Sequence, residues 1–358
     1  MKRIKILLTG SNPNAKKNVA GIGTVIKVLE KNTNIEPITI PVGRSSGEKR
    51  GVSWIISLLK KKIEVKSIIK NNKIDVGHIN TCMNPPALLR DYYILKQVRK
   101  HGIKTILHIH GGKYLFKKTK NIFLKYIIDR MLVKSDLIIV LSEYEKEHFP
   151  YNISKTKIEV LKNCIDTKQI PNHLPNSQKA NIIYMGRIVE SKGIEDLCIA
   201  LKLLAEKKID FHFNLCGSGP LQTKIVEQLK SIIPEKFTFH GIVSGDKKWS
   251  LLSQSEIFIL PSRWGEGLPM ALLEAMALGK CAVVTNDASM KMIIKDRQNG
   301  ILVKKHNPDD IFKKLKELLT TKDIPNEVGQ RAKKYFQNNF SLKEYYHGIN
   351  NLYNRLLN

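Results

Sequence analysis

The sequence predicts an α/β protein of two doubly wound, Rossmann-like domains facing each other across a cleft. Three observations predict it. Short apolar runs alternate with helical patterns along most of the chain, and such alternation makes parallel strands joined by crossover helices. The alternation lapses once, between Thr167 and Asn181, where Pro171, Pro175 and several Asn residues read as a linker. It then restarts, and 358 residues suit two domains of ordinary size.

In the first half, strands are predicted at 4–9, 35–40, 74–79, 104–109, 136–141 and 157–161, with helices near 22–32, 52–70, 86–100 and 119–133. In the second half, strands are predicted at 181–186, 210–215, 236–240, 256–260, 280–284 and 300–303. Helices fall near 192–207, 220–230, 269–279, 308–320 and 326–339. A last helix, 341–357, has Ser341 as N-cap and Glu344 three residues on. The expected domains are therefore 1–170 and 181–340, with 171–180 between them and the terminal helix packing back on the first. Sheets of this kind bind ligands at the carboxyl ends of their strands.

Composition narrows the function. Hydrophobic residues at 42% and charged residues at 26% fit a folded chain and exclude disorder as its main state. The five cysteines are spread along the chain with no C-x-x-C pair, which argues against zinc and redox pairs and for reduced thiols. The apolar run Ile6–Leu8 after Lys2, Arg3 and Lys5 is too short for a signal peptide or a membrane span, so a cytoplasmic location is expected. The net charge is +28, the larger part of it in residues 1–175. That imbalance points to an anionic partner: nucleic acid, an acidic membrane surface or a phosphorylated substrate. Plain lysine bias on a solvated surface is the alternative.

The most informative stretch is 259–285, ILPSRWGEGLPMALLEAMALGKCAVVT. A strand leads through a turn with Gly265 and Gly267 to Pro269, which suits the first position of a helix. The helix that follows is apolar on all faces and so is buried. Glu274 is its one charge, and a buried carboxylate needs a partner, such as a ribose hydroxyl pair. The helix N-terminus offers backbone N–H groups to a phosphate, with Glu266 beside it. The second stretch is MGRIVESKG, 185–193. Arg187 and Lys192 follow a strand that ends at Gly186, and two cations there suit a diphosphate. The chain has no D-x-D, so a metal-clamped diphosphate is not indicated; the two cations and a helix end could stabilise a departing diphosphate instead.

With these residues in hand, the chain resembles the retaining glycosyltransferases of family GT4 (glycosyltransferases group 1), which have the GT-B fold. The carrying residues are Glu266 and Glu274 within PSRWGEGLPMALLEAMA, and Gly186-Arg187 with Lys192-Gly193. Gly217-Ser218-Gly219-Pro220 and Asn163-Cys164-Ile165-Asp166 support them. The resemblance is close over the second domain and looser over the first. It implies that Arg187 and Lys192 hold the diphosphate of a nucleotide-sugar donor and that Glu274 takes the ribose hydroxyls. Glu266 would contact the transferred sugar, with the backbone near Gly267 and Leu268. The base would lie near Ile242 and Val243. In HIHGG, His110 matches the histidine lining the reaction centre of similar enzymes. Gly21-Ile22-Gly23 resembles the glycine loop near the donor phosphates, although Ala20-Gly21 stands where the family often has two glycines. No cofactor or metal is implied, since the nucleotide sugar is a substrate.

Two basic stretches of the first half carry aromatic and aliphatic side chains: Arg44–Lys62 with Trp54, and Lys113–Tyr126 with Tyr114, Phe116 and Phe123. Basic amphipathic segments bind anionic membranes. The leading expectation is therefore a UDP- or GDP-sugar donor and a polyprenyl-diphosphate-linked glycan acceptor at the inner face of the cytoplasmic membrane, in O-antigen or capsule synthesis. The alternative is the same donor chemistry on a soluble sugar or sugar phosphate. A basic nucleic-acid-binding protein is the remote third; it has no use for the paired acids, and no nucleic-acid partner is expected.

Overall fold

Strands covered on both faces need apolar side chains on both, and runs such as Ile-Lys-Ile-Leu-Leu and Cys-Ala-Val-Val-Thr supply them. The computed structural model describes residues 3–11, 21–42, 52–174, 181–264, 266–287, 289–321 and 323–358. Among them, twelve strands form two six-stranded sheets, parallel throughout. Ala20, Arg44, Arg50, Pro175 and Gly265 lie outside the described residues.

The first unit runs β1 Ile4–Gly10, α1 Gly21–Glu30, β2 Ile35–Pro41, α2 Val52–Asn71, β3 Val76–Thr81, α3 Pro85–Lys100, β4 Lys104–Ile109, α4 Ile122–Lys134, β5 Leu137–Val140, α5 Glu143–Glu147 and β6 Ile158–Val160. The second runs β7 Asn181–Met185, α6 Ile194–Glu206, β8 His212–Cys216, α7 Gln222–Ile232, β9 Phe237–Gly241, α8 Gly245–Ser253, β10 Ile257–Leu260, α9 Met270–Ala277, β11 Cys281–Thr285, α10 Met290–Ile293, β12 Ile301–Val303, α11 Pro308–Thr320 and α12 Asp323–Asn339. A final helix, α13, spans Leu342–Leu357. The compact units are Met1–Asn163 with Lys343–Asn358, and Cys164–Leu342, so the division falls ahead of the segment read as linker.

Strand order is β2-β1-β3-β4-β5-β6 in the first sheet and β12-β11-β10-β7-β8-β9 in the second. In each, the winding reverses beside the first strand: at β1/β3 and at β7/β10. Loops leaving the carboxyl ends of strands at such a reversal splay apart and leave a crevice.

Three short helices, α5, α8 and α10, were not expected. Each falls short of the roughly 11 residues over which an amphipathic pattern can be read. α1 begins at Gly21, so Gly21 and Gly23 form its first turn and are not a loop before it. The apolar spacing Ile22, Val25, Ile26, Leu29 requires that turn to be helical. α4 begins at Ile122, later than expected, because Asn121 caps it by accepting from the Leu124 N–H at 2.9 Å.

α4 buries Ile127, Ile128, Met131 and Leu132 on one side. On the other, Ile122, Phe123, Tyr126 and Val133 are 85%, 62%, 49% and 63% exposed. Lys117, Lys118, Lys120 and Lys125 are exposed around its start. Tyr114 and Leu115, by contrast, are buried, and Phe116 packs against the core. Among the described residues, no helix is long and apolar enough to cross a membrane.

α13 belongs to the first unit. Tyr346 donates to the Val28 carbonyl at 2.8 Å, and Asn350 accepts from Asn32 Nδ2 at 2.8 Å. Ile349 and Tyr353 are sealed from solvent.

Candidate functional site

In the second unit, three loops stack at the carboxyl ends of β7, β8 and β9. The Gly186 N–H donates to the Cys216 carbonyl at 3.0 Å, Ile188 N–H to Ser218 O at 2.9 Å, and Gly217 N–H to Gly241 O at 2.7 Å. Gly217 has φ +137°, and a Cβ there would overlap the Gly186 carbonyl oxygen, so glycine is required for the approach. The loop after β10 joins them. A Cβ at Gly193, φ +66°, would overlap the Pro261 carbonyl oxygen, and the Arg263 N–H donates to Ser191 O at 2.9 Å. Arg263 also clamps the start of α6, with its Nε and Nη2 on the Asp196 carboxylate at 2.9 and 2.7 Å. The sequence reading did not single out Arg263. Its partner lies 67 residues away, beyond any local pattern.

These approaches bring the loop after β7 against the loop after β10. Lys192 Nζ donates to Glu266 Oε1, and so does the Ser262 hydroxyl. Glu266 is 6% exposed, so it is not a solvated loop acid. Arg187 is exposed and anchored by its backbone, whose carbonyl accepts from the buried Tyr184 hydroxyl at 2.7 Å. Burial, with the nearby Glu266 charge, pushes that hydroxyl well above its usual pKa. Gly267 and Leu268 are buried beside Glu266 in the chain.

α9 is a buried helix, as its composition predicts: Leu272 through Ala277 are all buried. Pro269 precedes it as N-cap and not as first helical residue, because its ψ of 125° is extended. Glu274 is 5% exposed, and its partner is Lys248, whose Nζ donates to Oε1 at 2.7 Å. Lys248 also lies 4.3 Å over the Trp249 ring. The sequence reading missed Lys248, because it sits on α8, the helix whose short pattern is hard to see. Val243 is buried and Ile242 is 46% exposed in the turn that enters α8. One unit thus gathers Arg187, Lys192, Glu266, Gly267, Leu268, Glu274, Ile242 and Val243 on the loops around its winding reversal and on α8 and α9. Two carboxylates and three cations there can meet a diphosphate and vicinal hydroxyls.

In the first unit, His110 follows β4. Its Nε2 lies 2.8 Å from Asn80 Oδ1, and Asn80 Nδ2 donates to the Thr9 carbonyl at 3.0 Å. The His108 ring is 4.1 Å from that of His110. His108 Nδ1 meets His78 Nε2 at 3.2 Å, and His78 Nδ1 meets the Tyr353 hydroxyl of α13 at 2.7 Å. Burial, with the nearby His78 imidazole, lowers His110 to about 3. Burial alone lowers His78 to about 3. His108 is held well below its usual value by burial and then by its two neighbours. All three are neutral at pH 7. Gly21 and Gly23 lie in this unit too, in α1 after β1.

Residues 166–335 match the family model for glycosyl transferases group 1, and residues 33–169 that for glycosyltransferase family 4. An uncharacterized glycosyltransferase of Methanocaldococcus jannaschii is 30% identical over 313 residues, 86% of this chain and 82% of its own. A Campylobacter jejuni enzyme, N-acetylgalactosamine-N,N'-diacetylbacillosaminyl-diphospho-undecaprenol 4-alpha-N-acetylgalactosaminyltransferase, is 25% identical, covering 81% of this chain and 91% of its own. The Anabaena protein Alr3699/HepE, solved with UDP and glucose, superposes with a TM-score of 0.74 over 98% of this chain and 99% of its own, at 13% identity. The two parallel sheets flanked by helices match GT-B glycosyltransferase structures.

Two outcomes follow from the geometry. Glu274→Ala leaves Lys248 without its acceptor and is expected to cost about 1–3 kcal/mol in urea unfolding; adding Lys248→Met should recover most of it. Equal losses that simply add would mean the pair is uncoupled. Second, the depressed histidines bind protons in the unfolded chain before they do in the folded one. Stability is therefore kept above pH 6.5 and lost as pH falls toward 3. Unfolding free energy measured against pH should fall across that window, with a shallower slope in His108→Asn.

Proposed function

The chain belongs to the glycosyl transferases group 1 family, and from that premise we propose a retaining, metal-independent transferase. It moves a hexose-type sugar from a UDP- or GDP-sugar to a hydroxyl of a lipid-linked glycan, in bacterial surface-polysaccharide assembly. The observation that carries the donor half is the pairing of Glu266 with Lys192 and Glu274 with Lys248 around one winding reversal.

In this proposal Glu274 accepts from the ribose hydroxyls, using the oxygen that Lys248 leaves. The turn at Ile242 and Val243 lies against the base. Arg187 and Lys192 offset the charge that grows on the diphosphate as the sugar–phosphate bond breaks. Lys192 exchanges Glu266 for phosphate oxygens, which frees Glu266 to meet the sugar. The acceptor oxygen forms the new glycosidic bond, and its proton leaves with the departing diphosphate. Gly21 and Gly23 let the start of α1 come close to the donor. His110 takes part as a neutral imidazole, not as a cation.

The acceptor half rests on the outer face of α4. Exposed Ile122, Phe123, Tyr126 and Val133 beside four lysines have the composition of a segment that lies in a membrane interface. The Campylobacter relative, whose name specifies a diphospho-undecaprenol-linked acceptor, supports the same direction. The enzyme would work at the inner face of the cytoplasmic membrane and bind no nucleic acid.

A thermal-shift panel with UDP, GDP, ADP and a short single-stranded RNA tests the donor. UDP or GDP should raise the melting temperature of wild type and not of Glu274→Ala; a shift with RNA alone, fading with salt, would sink the proposal. For the membrane, flotation with anionic liposomes at low salt should recover wild type in the lipid fraction and lose Phe123→Glu/Lys125→Glu. Recovery of wild type only in the soluble fraction would remove membrane attachment.

A further inference from the structure

We propose that Asn80 is a positioning residue that fixes His110 as the Nε2–H tautomer, so that the ring's only lone pair for the reaction is on Nδ1. The inference rests on the assignment of His110 to the reaction centre.

Hydrogen-bond directions settle the tautomer one atom at a time. The Thr9 carbonyl oxygen can only accept, so the Asn80 atom 3.0 Å from it is the amide nitrogen. The amide oxygen is then the atom 2.8 Å from His110 Nε2. An amide oxygen also can only accept, so Nε2 must carry a proton. A neutral imidazole carries one proton, which leaves Nδ1 bare. The ring is kept neutral by burial and, after it, by the nearby His78.

Asn80 cannot turn over. A flipped amide would set its oxygen against the Thr9 carbonyl oxygen, two acceptors with no proton between them. Asn80 has no solvent exposure to relieve that clash. The backbone around it is built to its size. A Cβ at Gly10 would stand 3.0 Å from Asn80 Cβ and 2.8 Å from Ile26 Cδ1. β3 and β4 pair in register at Asn80 and His108, which sets Asn80 directly beside the turn that carries His110.

An Nδ1 lone pair can accept from a sugar hydroxyl or take its proton. The opposite tautomer would present a donor there and could do neither. Asn80 thus decides which kind of hydrogen bond His110 offers.

The test has two readouts. Long-range proton–nitrogen spectra of the full chain labelled with 15N-histidine, His110 being assigned by its loss in His110→Gln, should give the Nε2–H pattern at pH 7.5. An Nδ1–H or imidazolium pattern would overturn the proposal. The second readout is turnover of UDP-hexose and GDP-hexose probes by hydrolysis. Asn80→Leu should lower kcat by about 10²-fold, the scale of a misplaced catalytic group, with donor KM changed much less. Asn80→Asp keeps the acceptor and adds charge, so it should raise the His110 titration and move the acid limb of the pH profile upward. If His110→Ala is as active as wild type, the reaction-centre assignment fails, and the proposal with it. If His110→Ala is inactive while Asn80→Leu turns over normally, the positioning role alone is overturned.

Discussion

A carboxylate sealed inside apolar structure stays charged only if a cation reaches it, and the second unit meets that demand twice. Glu274 stands in a helix with no other charge, and α8 delivers Lys248 to it. Glu266 stands in a buried turn, and the loop after β7 delivers Lys192. Each delivery constrains backbone elsewhere. Gly193 must lack a side chain to lie on Pro261, and Arg263 must hold the start of α6 so that the lysine loop keeps its path. The cluster of loops at the winding reversal is thus organised by two buried ion pairs, and those four charged groups, with Arg187, form the proposed donor site.

The first unit solves a different burial problem with neutral groups. Three imidazoles lie on one face of its sheet, where they would repel one another if protonated. Burial keeps them neutral, and their contacts with Tyr353 and Asn80 satisfy most of their ring nitrogens. His108 Nε2 and the Thr9 hydroxyl remain without a partner among the described residues. A buried polar atom left in this way costs stability. The face therefore accepts a stability penalty next to the residue proposed to meet the substrates.

Much of the fold was legible because parallel strands announce themselves as apolar runs between helical periods. Most predicted elements match within two or three residues, from 104–109 in the first sheet to 308–320 in the second. The winding order was not legible, since strand neighbours are set by packing and not by local pattern. Glu274 could be picked out because a lone charge in an apolar helix is conspicuous. Its partner could not: Lys248 is one of 49 lysines and sits on a helix of nine residues. The histidine contacts were equally hidden. His78, His108 and Tyr353 come from β3, β4 and α13, and 275 residues separate the hydroxyl from the ring it touches.

That separation bears on how the protein is made. The second unit interrupts the first in the chain, and the segment that closes the first, Lys343–Asn358, is synthesised only after the whole of the second unit. Until Tyr353 arrives, His78 Nδ1 lacks the hydroxyl it meets, whereas the second unit is already complete by Leu342. Vectorial synthesis thus reverses the order of the two units: the one begun before the other is finished after it. In the interval His108 and His110 keep their β3 partners, and of the three imidazoles His78 alone waits for its second contact.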